Sequence, residues 1–180
     1  MNSPIQIVPI QYKKAQILSD LAKQIYIPHY PYLWEAGGVD WYINEYAYPV
    51  EKIENELKDP NNLHYIVYLD QKEIGYLKLN INTATKGFDP VHTLELERIY
   101  IDINCIQKGV GTLLINFVKQ IALSYHKKEI VLKAMDSAQK ALEFYKKNGF
   151  QITGNFRLPD HIFSLIKPEF RGMLVLSCKI

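Results

Sequence analysis

A glycine turn in the middle of the chain has the composition of a phosphate-binding loop. It follows an apolar strand pattern and opens a long helical pattern. Glycine lacks a Cβ and lets a ligand approach the backbone, while the first N–H groups of a helix point outward. Lys108 adds a charge and Thr112 a hydroxyl. The pattern predicts a pyrophosphate site, with a purely structural turn as the alternative, formed by Gln107, Lys108, Gly109, Val110, Gly111 and Thr112.

Two familiar nucleotide loops are excluded at this turn. The Walker pattern GxxxxGK(S/T) is absent, and Leu114 stands where the dinucleotide fingerprint GxGxxG has its third glycine.

Two carboxylates lie just before the turn. Glu95 and Glu97 are two residues apart, so that in a strand both side chains lie on one face. For Glu95, an exposed strand face and a functional role are equally open interpretations.

A second candidate region is rich in aromatic rings and carboxylates. Residues 30–48 contain no basic residue. Aromatic faces and carboxylates attract cations, so this segment could form the wall of an amine site. Helix packing with a solvated acidic edge is the alternative, and both stay open. The aromatic and acidic residues are Tyr30, Tyr32, Trp34, Glu35, Asp40, Trp41, Tyr42, Glu45, Tyr46 and Tyr48.

Composition narrows the functional classes. The net charge of +2 provides no broad positive field for nucleic acid or a membrane surface. The two cysteines form no CxxC, and the histidines show no HxxxH or HExxH spacing, so no metal site is expected. No signal peptide or apolar run of about 20 residues is visible, which predicts a cytoplasmic protein. The length of 180 residues predicts one domain, 1–180.

The hydrophobic pattern places these residues on alternating strands and helices. The helix between the strands at 93–101 and 129–135 predicts a crossover that makes these strands parallel neighbours. An early hairpin adds antiparallel pairs, so we expect an α/β (α+β) fold with a mixed central sheet of about six or seven strands flanked by helices. Predicted strands are 5–10, 64–69, 73–81, 93–101, 129–135, 150–156 and 173–180, and predicted helices are 12–27, 50–58, 109–126 and 137–148.

Two motifs in this order resemble the GNAT superfamily of N-acetyltransferases. The first, (R/Q)xxGx(G/A) after a strand, corresponds to Ile106 through Gly111. The second, NxxAxxFYxxxGF, corresponds to Ala138 through Phe150. The resemblance covers residues 63–155 well, and LELERIYI with ALEFYKKNGF looks most like the bacterial PaiA-type polyamine acetyltransferases. Ile106 and Ala138 depart from the motifs and remove two polar side-chain contacts, but they leave the backbone contacts in place.

The resemblance implies an acetyl-CoA-dependent N-acetyltransferase that modifies a primary amine, such as a polyamine or another small amine. It implies that Glu97 removes the amine proton, directly or through water, and that Tyr145 protonates the departing thiolate. The pantetheine arm would pair with the backbone of Ile99 and Ile101, and the Ile99 N–H would meet the oxyanion. A homodimer is common in the family. The alternatives are acetylation of a protein or peptide and a non-catalytic CoA-binding regulatory module.

Overall fold

The computed structural model describes residues 5–106 and 109–180. Within these residues a single mixed sheet has the strand order β1-β2-β3-β4-β5-β7-β6. Only β4 and β5 are parallel, and the other neighbours are antiparallel. The predicted strand number and the parallel pair are confirmed. The strands are β1 (Gln6–Pro9), β2 (Asn62–Leu69), β3 (Lys72–Asn80), β4 (Thr93–Ile101), β5 (Glu129–Met135), β6 (Gln151–Arg157) and β7 (Gly172–Lys179).

The four predicted helices are present with ends shifted by at most three residues, but the helical residues 38–47 were not predicted. Pro28 was expected to end the first helix, but that helix continues to His29. A proline removes one backbone hydrogen bond and its ring crowds the carbonyl four residues earlier, but only His29 follows Pro28 in this helix, so the disruption is confined to the last turn. No helix in the described ranges combines the length and apolar character needed to cross a bilayer. The helices are α1 (Ala15–His29), α2 (Gly38–Trp41), which continues as a π-helical turn over Tyr42–Ala47, α3 (Val50–Lys58), α4 (Val110–Ser124) and α5 (Gln139–Lys147).

The two faces of the sheet carry different cores. On one face, here called the α4 face, aliphatic strand residues such as Leu77 and Leu94 pack against Leu114 and Val118 of α4. On the other face, the α1–α3 face, the core is built from α1, α3, residues 30–48 and ring-bearing strand residues such as Tyr76. The sheet therefore separates an aliphatic layer from an aromatic layer.

A β-bulge in β4 decides which side chains reach each face. Leu79 of β3 pairs with Leu96, whereas its neighbour Lys78 pairs with Arg98, so Glu97 is an extra residue in the ladder. Such a bulge shifts the alternation of side chains by one position. As a result Leu94, Leu96, Ile99 and Ile101 contribute to the α4 face, while Glu95, Glu97, Arg98 and Tyr100 contact partners on the α1–α3 face.

Strands β4 and β5 separate halfway along their length. Their parallel pairing starts at Thr93 and Glu129 and ends at Leu96 and Leu132. Beyond this point β5 continues to pair with β7 as far as Met135. In the described part of the chain, no residue of β4 after Leu96 pairs with β5. The second half of β4 thus has one unpaired edge, here called the β4–β5 gap.

Candidate active site

The amino-terminal turn of α4 has the geometry that an anion requires. Gly109 precedes the helix with φ of +78°, a left-handed conformation that favours glycine. The first helical hydrogen bond runs from the Leu113 N–H to the Gly109 carbonyl. The N–H groups of Val110, Gly111 and Thr112 come earlier and have no carbonyl to bond within the helix, so they are oriented towards a ligand. Gln107 and Lys108, also predicted here, lie outside the described residues.

Gly111 has a different role from that of Gly109. A Cβ at this position would lie 2.9 Å from Cζ of Phe144 on α5 and 3.8 Å from Cδ1 of Ile101. The missing side chain therefore lets the start of α4 pack directly on α5 and on the end of β4. We predicted that Gly111 lets a ligand approach the backbone. In the structure, its close contact is with the aromatic ring of Phe144.

Tyr145 follows Phe144 on α5 and is half-buried on the α4 face. The centre of its ring lies 5.3 Å from that of Phe144 and 5.9 Å from that of Phe150. Burial raises the pKa of the Tyr145 phenol well above its ordinary value, and the Tyr30 phenol adds to the effect. The hydroxyl therefore keeps its proton at neutral pH and can serve as a donor.

The backbone of β4 presents polar groups to the β4–β5 gap. The Asp102 N–H donates to the Ile74 carbonyl, at 2.7 Å, and so points towards β3. Because backbone groups alternate in direction along a strand, those of Ile101 and Ile99 point to the opposite side. The Ile101 carbonyl is already in contact with Nε2 of His29, at 3.0 Å. This geometry leaves the Ile99 backbone groups and the Ile101 N–H directed at the gap.

Glu97 lies at the bulge and faces α3. Its Oε1 accepts from Nζ of Lys78 at 2.9 Å, and its Oε2 accepts from Nδ2 of Asn80 at 2.8 Å. Nη2 of Arg98 lies 3.3 Å from Oε1. Burial alone would raise the pKa of Glu97, but Arg98 and Lys78 outweigh it and hold the pKa below its usual range. Glu97 is therefore ionised at neutral pH.

A second carboxylate shares the same two cations. Oε1 of Glu56, on α3, lies 3.0 Å from Nζ of Lys78, and Oε2 lies 3.8 Å from Nη1 of Arg98. Burial opposes ionisation of Glu56, but His64 and the two cations lower its pKa to about 2. Burial lowers the pKa of His64 as well, so its ring is neutral at pH 7. Glu56, Lys78, Glu97 and Arg98 form a charge quartet with two carboxylates and two cations.

Glu95 is buried rather than solvated. Its side chain contacts Nζ of Lys133 at 2.7 Å and accepts from the Thr83 hydroxyl at 3.0 Å. The interpretation of Glu95 as part of an exposed strand face is therefore wrong. Nδ2 of Asn80 approaches Glu95 at 3.5 Å and Glu97 at 2.8 Å, so both carboxylates lie on one face, as their spacing predicted.

Residues 30–48 pack mainly as core. Trp34 and Tyr48 are buried, and the Tyr42 ring lies 4.8 Å from that of Tyr26. The carboxylates of this segment are exposed; they are Glu35, Asp40 and Glu45. Of the two open interpretations, packing with an acidic edge describes most of the segment.

Three members of the quartet, Glu56, Lys78 and Arg98, were not predicted from the sequence. The signal for Arg98 was present, since the apolar spacing in β4 changes from two (Leu94 to Leu96) to three (Leu96 to Ile99), as a bulge requires. Lys78 stands alone in an apolar run of β3. Glu56 gave no signal, because its two cation partners in the quartet are more than twenty residues away in sequence.

Comparison with known proteins identifies the family. The family model of the acetyltransferase (GNAT) family matches residues 24–150. The chain belongs to this family. A curated relative, an uncharacterized N-acetyltransferase in the pepI 3' region of Lactobacillus delbrueckii subsp. lactis, is 27% identical over 115 residues. That alignment spans 64% of this chain and 64% of the relative, slightly less than two thirds of its length.

Solved structures agree with this fold. The PaiA N-acetyltransferase of Thermoplasma acidophilum, solved with coenzyme A, superposes with a TM-score of 0.76 at 19% identity, covering 98% of this chain and 99% of that one. A spermidine N-acetyltransferase SpeG chimera from Vibrio cholerae superposes with a TM-score of 0.69 at 18% identity, covering 98% and 96%. At this identity the similarity shows the fold, and the predicted GNAT fold is confirmed.

Proposed function

We propose that the protein transfers the acetyl group of acetyl-CoA to a primary amine. The observation that carries this proposal is the β4–β5 gap beside the start of α4. Hydrogen-bonding backbone groups of Ile99 and Ile101 face the gap. The first turn of α4, with the N–H groups of Val110, Gly111 and Thr112, lies close to this part of β4, since a Cβ at Gly111 would be 3.8 Å from Cδ1 of Ile101. The two sets suit the amides and the pyrophosphate of one extended ligand.

The residues of this chain would bind acetyl-CoA chiefly through the backbone. Val110, Gly111 and Thr112 offer N–H groups to the pyrophosphate, and Gln107 and Lys108 would complete this site. Because His29 already contacts the Ile101 carbonyl, pantetheine would pair with the Ile101 N–H and the Ile99 carbonyl. Backbone contacts of this kind do not depend on the polar side chains that Ile106 and Ala138 replace.

Glu97 and Tyr145 would supply the two proton transfers. A free alkylamine has a pKa near 10 and arrives as an ammonium, so it must lose a proton before its nitrogen can attack the thioester carbonyl. The ionised Glu97 takes that proton, directly or through water, as the N–C bond forms. The Ile99 N–H stabilises the oxyanion. As the C–S bond breaks, the protonated Tyr145 donates its proton to the sulfur, and the second proton of the attacking nitrogen passes to the Tyr145 phenolate through water. The products are an amide and a free thiol, and Glu97 releases the first proton to solvent.

The acceptor class is a small primary amine, and polyamines are the first members to test. Their support is the similarity in fold to a spermidine N-acetyltransferase and a PaiA N-acetyltransferase. The charge quartet has equal numbers of carboxylates and cations, so it adds no surplus negative charge for a polycation. Strong binding of a polyamine would therefore need other carboxylates.

The homodimer and the cytoplasmic location stay predictions.

A thiol-release assay over a panel of amines tests this function. The panel holds spermidine, putrescine, monoamines, amino sugars, amino acids and short peptides, each with acetyl-CoA. Wild type should acetylate a small amine, and the product mass should increase by one acetyl group. Glu97→Gln is the matched control, because it keeps the size of the side chain and removes its negative charge.

The panel also separates the alternatives. Acetylation of peptides without any small amine would favour a protein acetyltransferase. Binding of acetyl-CoA in calorimetry, with no amine or peptide acetylated, would favour the CoA-binding module. The absence of acetyl-CoA binding at millimolar concentration would contradict the proposed function itself.

A further inference from the structure

The charge quartet presents a single member to solvent. The side chain of Glu97 is 27% exposed, whereas those of Lys78, Arg98 and Glu56 are 6%, 10% and 12% exposed. Lys78 and Arg98 each contact both carboxylates, so each cation is fixed from two sides. The Arg98 guanidinium also lies over the Tyr48 ring, 4.8 Å from its centre. The cluster is a rigid support behind one outward carboxylate.

Stability alone gives little reason for such a support. Removing four charges from water costs about as much as their mutual attraction returns, so buried ion pairs add little to folding. Buried charges are frequent where a side chain needs a defined protonation state and orientation. The bulge that turns Glu97 and Arg98 to the same face exists in the strand that also borders the β4–β5 gap. The cluster and the proposed reaction site are therefore adjacent on β4.

We propose that Lys78 and Arg98 are positioning residues, which keep Glu97 ionised and hold its carboxylate in place beside the gap, and that Glu56 fixes both cations from α3. This inference rests on the proposed function, because it assumes that Glu97 is the base. It adds that the ionisation and the position of Glu97 depend on α3, an element that contributes no group to the acetyl-CoA site.

The surroundings of Glu97 identify Lys78 and Arg98 as the groups that matter. They lie within 3.3 Å of its carboxylate. Tyr42 and Tyr48 stay neutral, because burial raises the pKa of both phenols. The charged and titratable groups that face Glu97 from the packed elements are Lys78 on β3, Glu95 and Arg98 on β4, Glu56 and Lys52 on α3, and Tyr42 and Tyr48.

The test replaces Lys78 and follows the titration of Glu97. Lys78→Met keeps the length of the side chain and leaves Glu56 and Glu97 to share one cation. The acidic limb of kcat/KM for the amine should move to higher pH by about 1–3 units, the size of effect that a neighbouring charge has on a carboxyl. The same shift should appear without turnover in a ¹³C NMR titration of the Glu97 carboxyl, identified by its absence in Glu97→Gln.

Three further variants make the result specific. Lys78→Arg restores a cation and should return the acidic limb close to its wild-type position. Lys72→Met makes the same substitution at an exposed position of the same strand and should leave the profile unchanged. In a Glu97→Gln background, Lys78→Met should cause no further shift. Arg98→Gln provides the same test if Lys78→Met does not fold, with cooperative unfolding and acetyl-CoA affinity as the measure of folding.

Three results would overturn the inference, and they differ. A Glu97 titration unchanged by both Lys78→Met and Arg98→Gln would show that the cations do not control this carboxyl, even if Glu97→Gln is inactive. Full activity of Glu97→Gln across pH would instead remove Glu97 as the base and the proposed mechanism with it. A loss of activity in Lys78→Met with no change in the acidic limb would indicate a structural role only.

Discussion

The two faces of the central sheet differ in how they are built. On the α4 face, Leu94, Leu96, Ile99 and Ile101 belong to one apolar cluster with aliphatic residues of α4. On the α1–α3 face, the same strand contributes charged side chains to a buried quartet and Tyr100 to an aromatic core. One strand thus serves two layers with opposite chemistry, and a one-residue bulge makes this arrangement feasible.

The difference separates the groups that would bind acetyl-CoA and protonate its thiolate from the carboxylate that would deprotonate the amine. The α4 side holds the features suited to acetyl-CoA, and these depend on local backbone geometry at Gly109 and on a close contact at Gly111. The α1–α3 side holds the carboxylate suited to the amine, and its state depends on partners from β3 and α3. Substitutions at the start of α4 should therefore change the affinity for acetyl-CoA, whereas substitutions in the quartet should change turnover and its dependence on pH.

The largest effect is expected for Glu97→Gln, on the α1–α3 side. It should lower kcat at neutral pH by about 10²–10⁴-fold, the usual size of general base catalysis. The deficit should shrink as pH rises towards the pKa of the amine, because less substrate then needs to lose a proton. Affinity for acetyl-CoA, measured by calorimetry, should stay near that of wild type. A deficit that is constant across pH would contradict the role of Glu97 as the base.

Tyr145→Phe tests the comparison from the α4 side. It removes one hydroxyl and keeps the ring contacts with Phe144 and Phe150. Turnover should fall by about 10²–10³-fold, because the departing thiolate loses its proton donor. Acetyl-CoA affinity should be unchanged in calorimetry. Phe144→Leu on the same helix is the control for packing. A Tyr145→Phe variant with full turnover would show that the phenol has no part in the reaction.

The outline of the fold was accessible from the sequence. The helix at Val50–Lys58 and the strands at Thr93–Ile101 and Glu129–Met135 have the predicted bounds. Local patterns explain this success, since amphipathic spacing and breakers act within a few residues. The predicted first helix ended at residue 27, before Pro28, whereas α1 continues to His29. A proline disrupts the turn that precedes it, so a proline next to the last residue does not prevent the final turn from forming.

The candidate site could be predicted on the α4 side, but on the α1–α3 side only Glu97 could be. Gly109 was placed correctly at the start of a helix, since a turn and a helix start are local features. The quartet was not predictable, because Glu56 and Lys78 meet Glu97 through pairs that are distant in sequence. The buried state of Glu95 was missed for the same reason: its partner Lys133 comes from β5. Side-chain pairs across a sheet depend on register, and a bulge changes register.

A smaller effect on stability is expected when Glu56 is changed. Because the folded state lowers the pKa of Glu56 from 4.5 to about 2, the stability it contributes is fully present above about pH 5 and is lost as pH falls towards 2. A depression of this size corresponds to about 3 kcal/mol. Glu56→Gln should therefore lose less free energy of unfolding between pH 5 and pH 2 than wild type does, as measured by urea denaturation.

The control for this experiment lies on the same helix. Glu51→Gln changes an exposed carboxylate of α3 and should keep the wild-type dependence on pH. His64 adds a pH dependence of its own, because burial lowers its pKa and its protonation then costs stability as pH falls below its ordinary value. Glu51→Gln keeps both His64 and Glu56, so it is compared with Glu56→Gln over the same range, pH 5 to pH 2. Equal losses in wild type and Glu56→Gln would show that the quartet does not hold Glu56 ionised.

The smallest effect is expected for Gly111→Ala, which returns to the α4 side. The added Cβ would lie 2.9 Å from Cζ of Phe144, closer than carbon atoms tolerate. Overpacking of this kind costs about 1–3 kcal/mol, and a single methyl group against one ring belongs at the lower end. The free energy of unfolding should fall by that amount. The affinity for acetyl-CoA should fall with it, because the first turn of α4 must move.

Removing the ring atoms should reverse the effect if the contact with Phe144 is its cause. Phe144→Leu in the Gly111→Ala background deletes the atoms that the methyl group meets, so the double variant should lose less stability than the two single changes added together. Gly154→Ala in β6 is the matched control, because its Cβ would lie 3.7 Å from the nearest atom, an ordinary contact. Additive losses would show that Phe144 is not the reason for a glycine at position 111, and that α5 does not set the position of the α4 turn. Glycine would then be needed for helix geometry or for the approach of a ligand.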